Sequence, residues 1–157
     1  MTTARSAAEL LHVALEDLHA GKQAQAERLP AIAERCGDAD LARMIRHEAA
    51  RAGVQAERTN AVAPALSSPE NLWMSGILDD AERDTRQTEP VRLLDVALIG
   101  AVRKSKAAEI VSAETALALA SELAISDIHA AVAANRAEEI ASDRALRERL
   151  AALTGSR

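Results

Sequence analysis

The run VRLLDVALIGAVRKSKAAEIVSAETALALASEL, residues 91–123, decides how the chain reads. Taken by fours and threes it gives Leu94, Leu98, Ala101, Ser105, Glu109, Ser112, Ala116 and Leu119. That spacing is the period of one face of an α-helix. The face is apolar at both ends and polar in the middle. The same pattern recurs in three other segments. One series runs Leu11, Leu15, Leu18, Lys22, Gln25, Leu29, Ile32, Cys36; another runs Leu41, Ile45, Glu48, Ala52, Gln55, Thr59. The last runs Ile128, Val132, Asn135, Glu139, Ser142, Leu146. Four long helices with polar groups at matching depth are therefore expected.

Composition agrees with helix throughout. Ala is far above ordinary usage, Phe and Tyr are absent, and Trp73 is the one aromatic residue. Ala and Leu lose little freedom in a helix, whereas aromatic and β-branched residues favour strands. A chain of 157 residues is long enough to bury a core without disulfides or a structural metal. The formal net charge of −5, with basic residues interleaved among acids, gives no electrostatic case for a nucleic-acid or anionic-membrane partner. Cys36 stands alone, which excludes a disulfide framework and a Cys-type zinc site, and reads as a small packing residue. The opening Met1-Thr2-Thr3-Ala4-Arg5 leads into an amphipathic run, not a long apolar one. No secretory signal or transmembrane segment is expected, and the default location is cytoplasmic.

Punctuation places the helices at about 6–36, 39–63, 70–85, 90–123 and 127–153, in a single domain over 1–157. Pro30 falls inside the first and should kink it. Gly37 should end it and Asp38 cap the second. Pro64 and Ser67-Ser68-Pro69 stop the second helix, with Ser68 as cap and Pro69 in the first turn of a short third helix. Leu72, Trp73, Ile77 and Leu78 should form the apolar face of that helix. Thr88 should cap the fourth helix, whose inner side starts at Val91, and Ser126 should cap the fifth. The first and second helices, like the fourth and fifth, are joined by only a few residues, so each pair should be an antiparallel hairpin. The expected fold is all-α: a ferritin-like four-helix bundle of two antiparallel hairpins with a short crossover helix.

A buried carboxylate is costly unless it is paired or binds a cation. The polar middle therefore has two organised explanations. One is a metal centre of carboxylates and histidines; the other is a network in which Lys or Arg supplies the positive charge. In a third reading, the Ala-rich faces let long polar side chains snorkel outward to solvent.

Several stretches together resemble the bacterial YciE/YciF-type ferritin-like family, a family with a domain of unknown function. Leu15-Glu16-Asp17-Leu18-His19 with Leu29-Pro30 downstream is similar to its opening segment. His47 stands where the family has a His before an acidic stretch. Trp73-Met74-Ser75-Gly76-Ile77, Asp95-Val96-Ala97-Leu98-Ile99-Gly100-Ala101, Glu109-Ile110 and Glu138-Glu139 with Asp143 complete the likeness, which runs from about Leu10 to Leu153.

Set against the family pattern, a ligand Glu of the first helix falls on Lys22, and a Glu-His pair of the fourth falls on Lys106-Ala107. The acids after His47 become Ala49, Ala50 and Arg51, while Glu138 and Glu139 are kept. The resemblance thus implies a former di-metal site, now a polar core of Lys22, His47, Glu48, Arg51, Lys106, Glu109, Glu138 and Glu139. A lysine ammonium can stand where a metal stood. The reading is a bundle without di-iron chemistry and with no resident cofactor. It would act by assembly, as a homodimer, or by partner binding, and the resemblance implies a stress response. The alternative is an iron- or manganese-binding oxidase or iron-handling protein with a reduced site at His47, Glu109 and Glu139. A small-ligand binder using the polar interior is a further class. His12, Glu16 and His19 share one helix face at a spacing that could hold a surface metal, but they read as exposed surface residues, as does His129. Trp73 and Met74 are expected to pack on the bundle, with a partner surface as the other option.

Overall fold

The computed structural model describes residues 3–156. Five helices follow one another: α1 (Ala7–Ala33), α2 (Ala39–Val62), α3 (Leu72–Gln87), α4 (Val91–Glu122) and α5 (Ser126–Thr154). α1 packs along α2 and α4 along α5, as two hairpins. The hairpins meet through α1 against α4 and α2 against α5, so the four long helices form a ring in the order α1, α2, α5, α4. α3 crosses between the hairpins and lies on α1 and α4. The fold is all-α and ferritin-like. Among the described residues, no helix is long and apolar enough to cross a membrane.

The predicted faces become two separate apolar clusters. At one end, Leu29, Ile32, Leu41, Ile45, Leu98 and Leu146 pack with Met74 and Leu78 of α3. At the other, Leu11, Leu15 and Leu18 meet Ala113, Ala116, Ile128 and Val132. Each fully buried Leu or Ile contributes about 1.5–3 kcal/mol by leaving water. Between the clusters the facing positions are polar.

Helix ends differ from the sequence reading because caps depend on contacts that spacing does not encode. α1 stops at Ala33, so Pro30 lies in its last turn and removes one backbone donor near the end, where the helix is already giving way. The turn then tightens through Arg35 N–H to Ile32 O and Cys36 N–H to Ala33 O, leaving Cys36 outside the helix. Cys36 is partly buried against the first cluster, and burial, with Asp95 and Asp38 nearby, pushes its thiol up to about 12. Gly37 is not a left-handed cap. Its backbone N–H donates to Asp95 Oδ1 (2.9 Å), and a Cβ there would sit 2.7 Å from Val91 Cγ2. Glycine is needed for close approach of the α1–α2 turn to α4. Asp95 is buried and also accepts from Asp38 N–H (3.0 Å). Asp38 in turn caps α2 through Leu41 N–H and is gripped by the Arg149 guanidinium of α5.

α3 starts two residues later than expected. Its cap is Asn71, not Ser68, and Leu72 points to solvent while Met74, Leu78 and Ala81 are buried. Asn71 Nδ2 reaches Asp17 O of α1 (2.8 Å), and the Trp73 indole N–H donates to Asp17 Oδ2 (2.9 Å). Gly21 permits this approach, because a Cβ there would meet Asn71 Nδ2 at 2.9 Å. Trp73 and Met74 thus pack on the bundle. Thr88 closes α3 and does not cap α4, which starts after Pro90 with no side-chain cap. Val91 is exposed rather than part of the inner side. Ser126 is the first residue of α5, and the cap position is Ile125.

Candidate functional site

Each long helix delivers one or two polar side chains to the same depth. α1 contributes Lys22 and Gln25, one turn apart; α2 contributes Glu48; α4 contributes Lys106 and Glu109; α5 contributes Glu139 and Ser142. Helical spacing of three or four keeps each pair on the inward face. All are buried, and the Lys106 side chain is only 1% exposed.

The two lysines bridge three carboxylates. Lys22 Nζ lies 2.8 Å from Glu109 Oε1 and 2.8 Å from Glu139 Oε1. Lys106 Nζ lies 2.7 Å from Glu48 Oε2 and 2.8 Å from Glu139 Oε2. Glu139 is therefore held between both ammonium groups. Gln25 Nε2 donates to Glu109 Oε1 (2.7 Å), and the Ser142 hydroxyl donates to Glu48. Glu109 Oε2 is buried with neither a hydrogen-bond nor an ion-pair partner in the protein.

Electrostatics separate the acids. Burial pushes Glu109 upward, and this outweighs the downward pull of Lys22. Burial pushes Glu139 the same way, but Lys106 and Lys22 together hold its carboxyl far below the usual range. Burial would lower the Lys106 ammonium, yet Glu139, Glu109 and Glu48 keep it above its ordinary value. Two adjacent acids driven apart leave Glu139 as the fixed anion and Glu109 as the group that takes a proton first. Three carboxylates against two lysines leave one negative charge. Arg51 approaches Glu48 at 3.5 Å from the rim and balances it.

The other predicted members lie outside this centre. Glu138 turns to the α2–α5 flank, where Arg58 (2.9 Å) and Gln55 (2.8 Å) bind it. His47 is exposed, with Nδ1 3.4 Å from Arg51 Nη2. It precedes Glu48 by one residue, so when Glu48 faces inward His47 is turned about 100° away. His47, Glu109 and Glu139 therefore do not converge. Among the described residues, no group of three or more His, Cys, Asp or Glu side chains is placed to hold a metal ion. Each of the central carboxylates Glu48, Glu109 and Glu139 has a lysine ammonium within 2.8 Å. On the surface, Glu16 is bound by Ser67 and faces His12 (3.2 Å), while His19 is buried instead of exposed. Arg58 was not foreseen. Its one signal is its position a turn after Gln55, where it reaches Asn135 Oδ1 (2.6 Å) as well as Glu138.

Comparison with known proteins follows the architecture. The Escherichia coli stress protein YciF has a similar solved structure, at 20% identity, covering 98% of this chain and 100% of that one with a TM-score of 0.93. YcfI from Rhodopseudomonas palustris is similar at 23% identity, covering 91% and 94% with a TM-score of 0.87. At these identities the likeness carries the fold alone. No curated protein matches the chain. Residues 6–157 match the model described as "Domain of unknown function (DUF892)". The chain, a ferritin-like bundle with ammonium groups among its central carboxylates, belongs to the DUF892 family.

Proposed function

We propose that this chain is a ferritin-like scaffold whose former two-metal centre is held by lysines, and that it works through assembly or partner binding rather than di-iron chemistry. The observation that supports this most is the placement of Lys22 Nζ and Lys106 Nζ, each within 2.8 Å of two carboxylates. Two fixed cations in that volume repel a divalent ion and supply the charge it would otherwise bring. A role in a stress response, suggested by the description of the E. coli protein, is part of this proposal. So are a cytoplasmic location, one folding unit over residues 1–157, and a homodimer. Exposed Leu10 and Val13 on α1, Leu72 on α3 and Val111 on α4 offer apolar area for a second copy.

The test is elemental analysis of protein purified without chelator, with native mass spectrometry for its mass state. The expected result is no stoichiometric iron or manganese and a dimer. In the variant Lys22→Glu/Lys106→Glu, five carboxylates would share the centre, and added iron or manganese should bind and raise the melting temperature. Stoichiometric metal in the natural protein, with an oxidase rate, would overturn the scaffold reading in favour of a reduced metal site.

A further inference from the structure

Beside the ion pairs the helices enclose a cavity of about 20 Å³. Lys22, Glu109 and Glu139 form one wall, and Thr59 and Asn135 line it too. In that first wall Glu109 Oε2 is buried with neither a hydrogen-bond nor an ion-pair partner in the protein, and the Lys22 ammonium, with three N–H donors, meets two carboxylate oxygens at 2.8 Å and keeps one donor to offer. A volume of at least about 10–15 Å³ with two to four polar partners suits one water, whereas purely apolar cavities stay dry. The cavity meets the volume condition, and its wall supplies both a donor and acceptors. Charge decides against a cation. Lys22, Lys106 and Arg51 already match Glu48, Glu109 and Glu139, and a further ion would face the Lys22 ammonium. An anion would face Glu139.

We propose that this cavity is a binding site for one neutral, water-sized hydrogen-bonding molecule, water itself, which donates to Glu109 Oε2, accepts from the Lys22 ammonium and exchanges with solvent past Arg136. Arg136 also lines the cavity, and its guanidinium is tied across α4 and α5 to Glu114 Oε1 (2.5 Å) at the surface. That side chain is the cover between the site and bulk solvent. Through it the buried acids gain or lose a proton without parting the helices. The inference rests on the centre being balanced by lysines, as argued above.

The test combines a crystal structure that resolves single waters, a rubidium soak, and water magnetic relaxation dispersion. The natural protein should show one density peak in the cavity and a long-lived water. Ala113 and Val132 form the apolar side. Ala113→Val, or Val132→Ile should the first misfold, should remove the long-lived water and lower the melting temperature, because the wall atoms then lose a partner. Arg136→Ala should keep the water and shorten its residence several-fold. A dry cavity, a rubidium peak, a higher melting temperature in the filled variants or an unchanged residence time in Arg136→Ala would overturn the proposal. Elemental analysis of the same sample separates the two readings: bound metal sinks the scaffold, while a metal-free but dry centre sinks the water site alone.

Discussion

Replacing Lys22 by methionine keeps the apolar stem and deletes the charge that holds Glu109 and Glu139. At 2.8 Å and an effective dielectric of about 20, each contact is worth ~6 kcal/mol of Coulomb attraction. That sum is not lost in full. The cost of burying the ammonium disappears with it, and a stranded carboxylate escapes by taking a proton. For a Glu with an ordinary value of about 4.3, binding a proton at pH 7.5 costs ~4 kcal/mol. The variant should therefore lose about 3–5 kcal/mol near pH 7.5, the range for breaking a buried pair. Lys22 exerts the largest downward pull on Glu109, so its removal raises Glu109 further. A carboxyl raised in the folded state binds a proton that the unfolded chain releases. Stability then falls with pH up to the folded value, and that fall continues to higher pH in the variant. The deficit should widen between pH 6 and pH 8, by at most ~1.4 kcal/mol per unit. Urea unfolding at the two pH values measures it, with Lys22→Met/Glu139→Gln expected to recover part. A loss below about 1 kcal/mol at pH 7.5, with no change across pH, would mean that water reaches Lys22 freely.

Two further outcomes follow from the same geometry. Glu109→Gln keeps an acceptor for Gln25 and removes the acid that burial pushes up; the natural protein has this contribution in full at low pH and loses it as pH rises through the folded value. The variant should be about 1–3 kcal/mol more stable at pH 8 and close to unchanged at pH 5, and thermal melts across that range would expose the idea as wrong if both proteins sloped alike. Gly37→Ala should cost about 1–3 kcal/mol by overpacking against Val91, and Val91→Ala should restore much of it; additive losses in a double-mutant cycle would show that the two do not touch.

The interior was largely legible. Every position of the α2 and α5 series, from Leu41 to Thr59 and from Ile128 to Leu146, is buried, because a face of period 3.6 is a local property. The depth of the polar layer could be read for the same reason. The periodic series runs through Glu48, which is buried, and passes beside His47, which is exposed. What could not be read was tertiary. Asn71, Asp95 and Gly21 act on partners fifty or more residues away in sequence, and Asp95 looks like any helix residue until Gly37 and Asp38 arrive beside it. Thr88 and Ser126 fit the residue preferences of caps, yet neither side chain caps a helix, although α4 and α5 start within one residue of the places read.

The distribution of charge between the two hairpins has a consequence for assembly. Lys22 finds its acids only on α4 and α5, and Glu48 finds its lysine only on α4. Three of the four central ion pairs thus join one hairpin to the other, and Lys106 with Glu139 alone stays within a half. The α1–α2 half carries Lys22 as a surplus cation, since Arg51 already answers Glu48 there, and the α4–α5 half carries a surplus of acid. Either half pairing with its own duplicate would bury two surplus charges of one sign. The halves work as a lock with two unlike keys: apolar ends make them adhere, and the charges in between decide which adhesion is accepted.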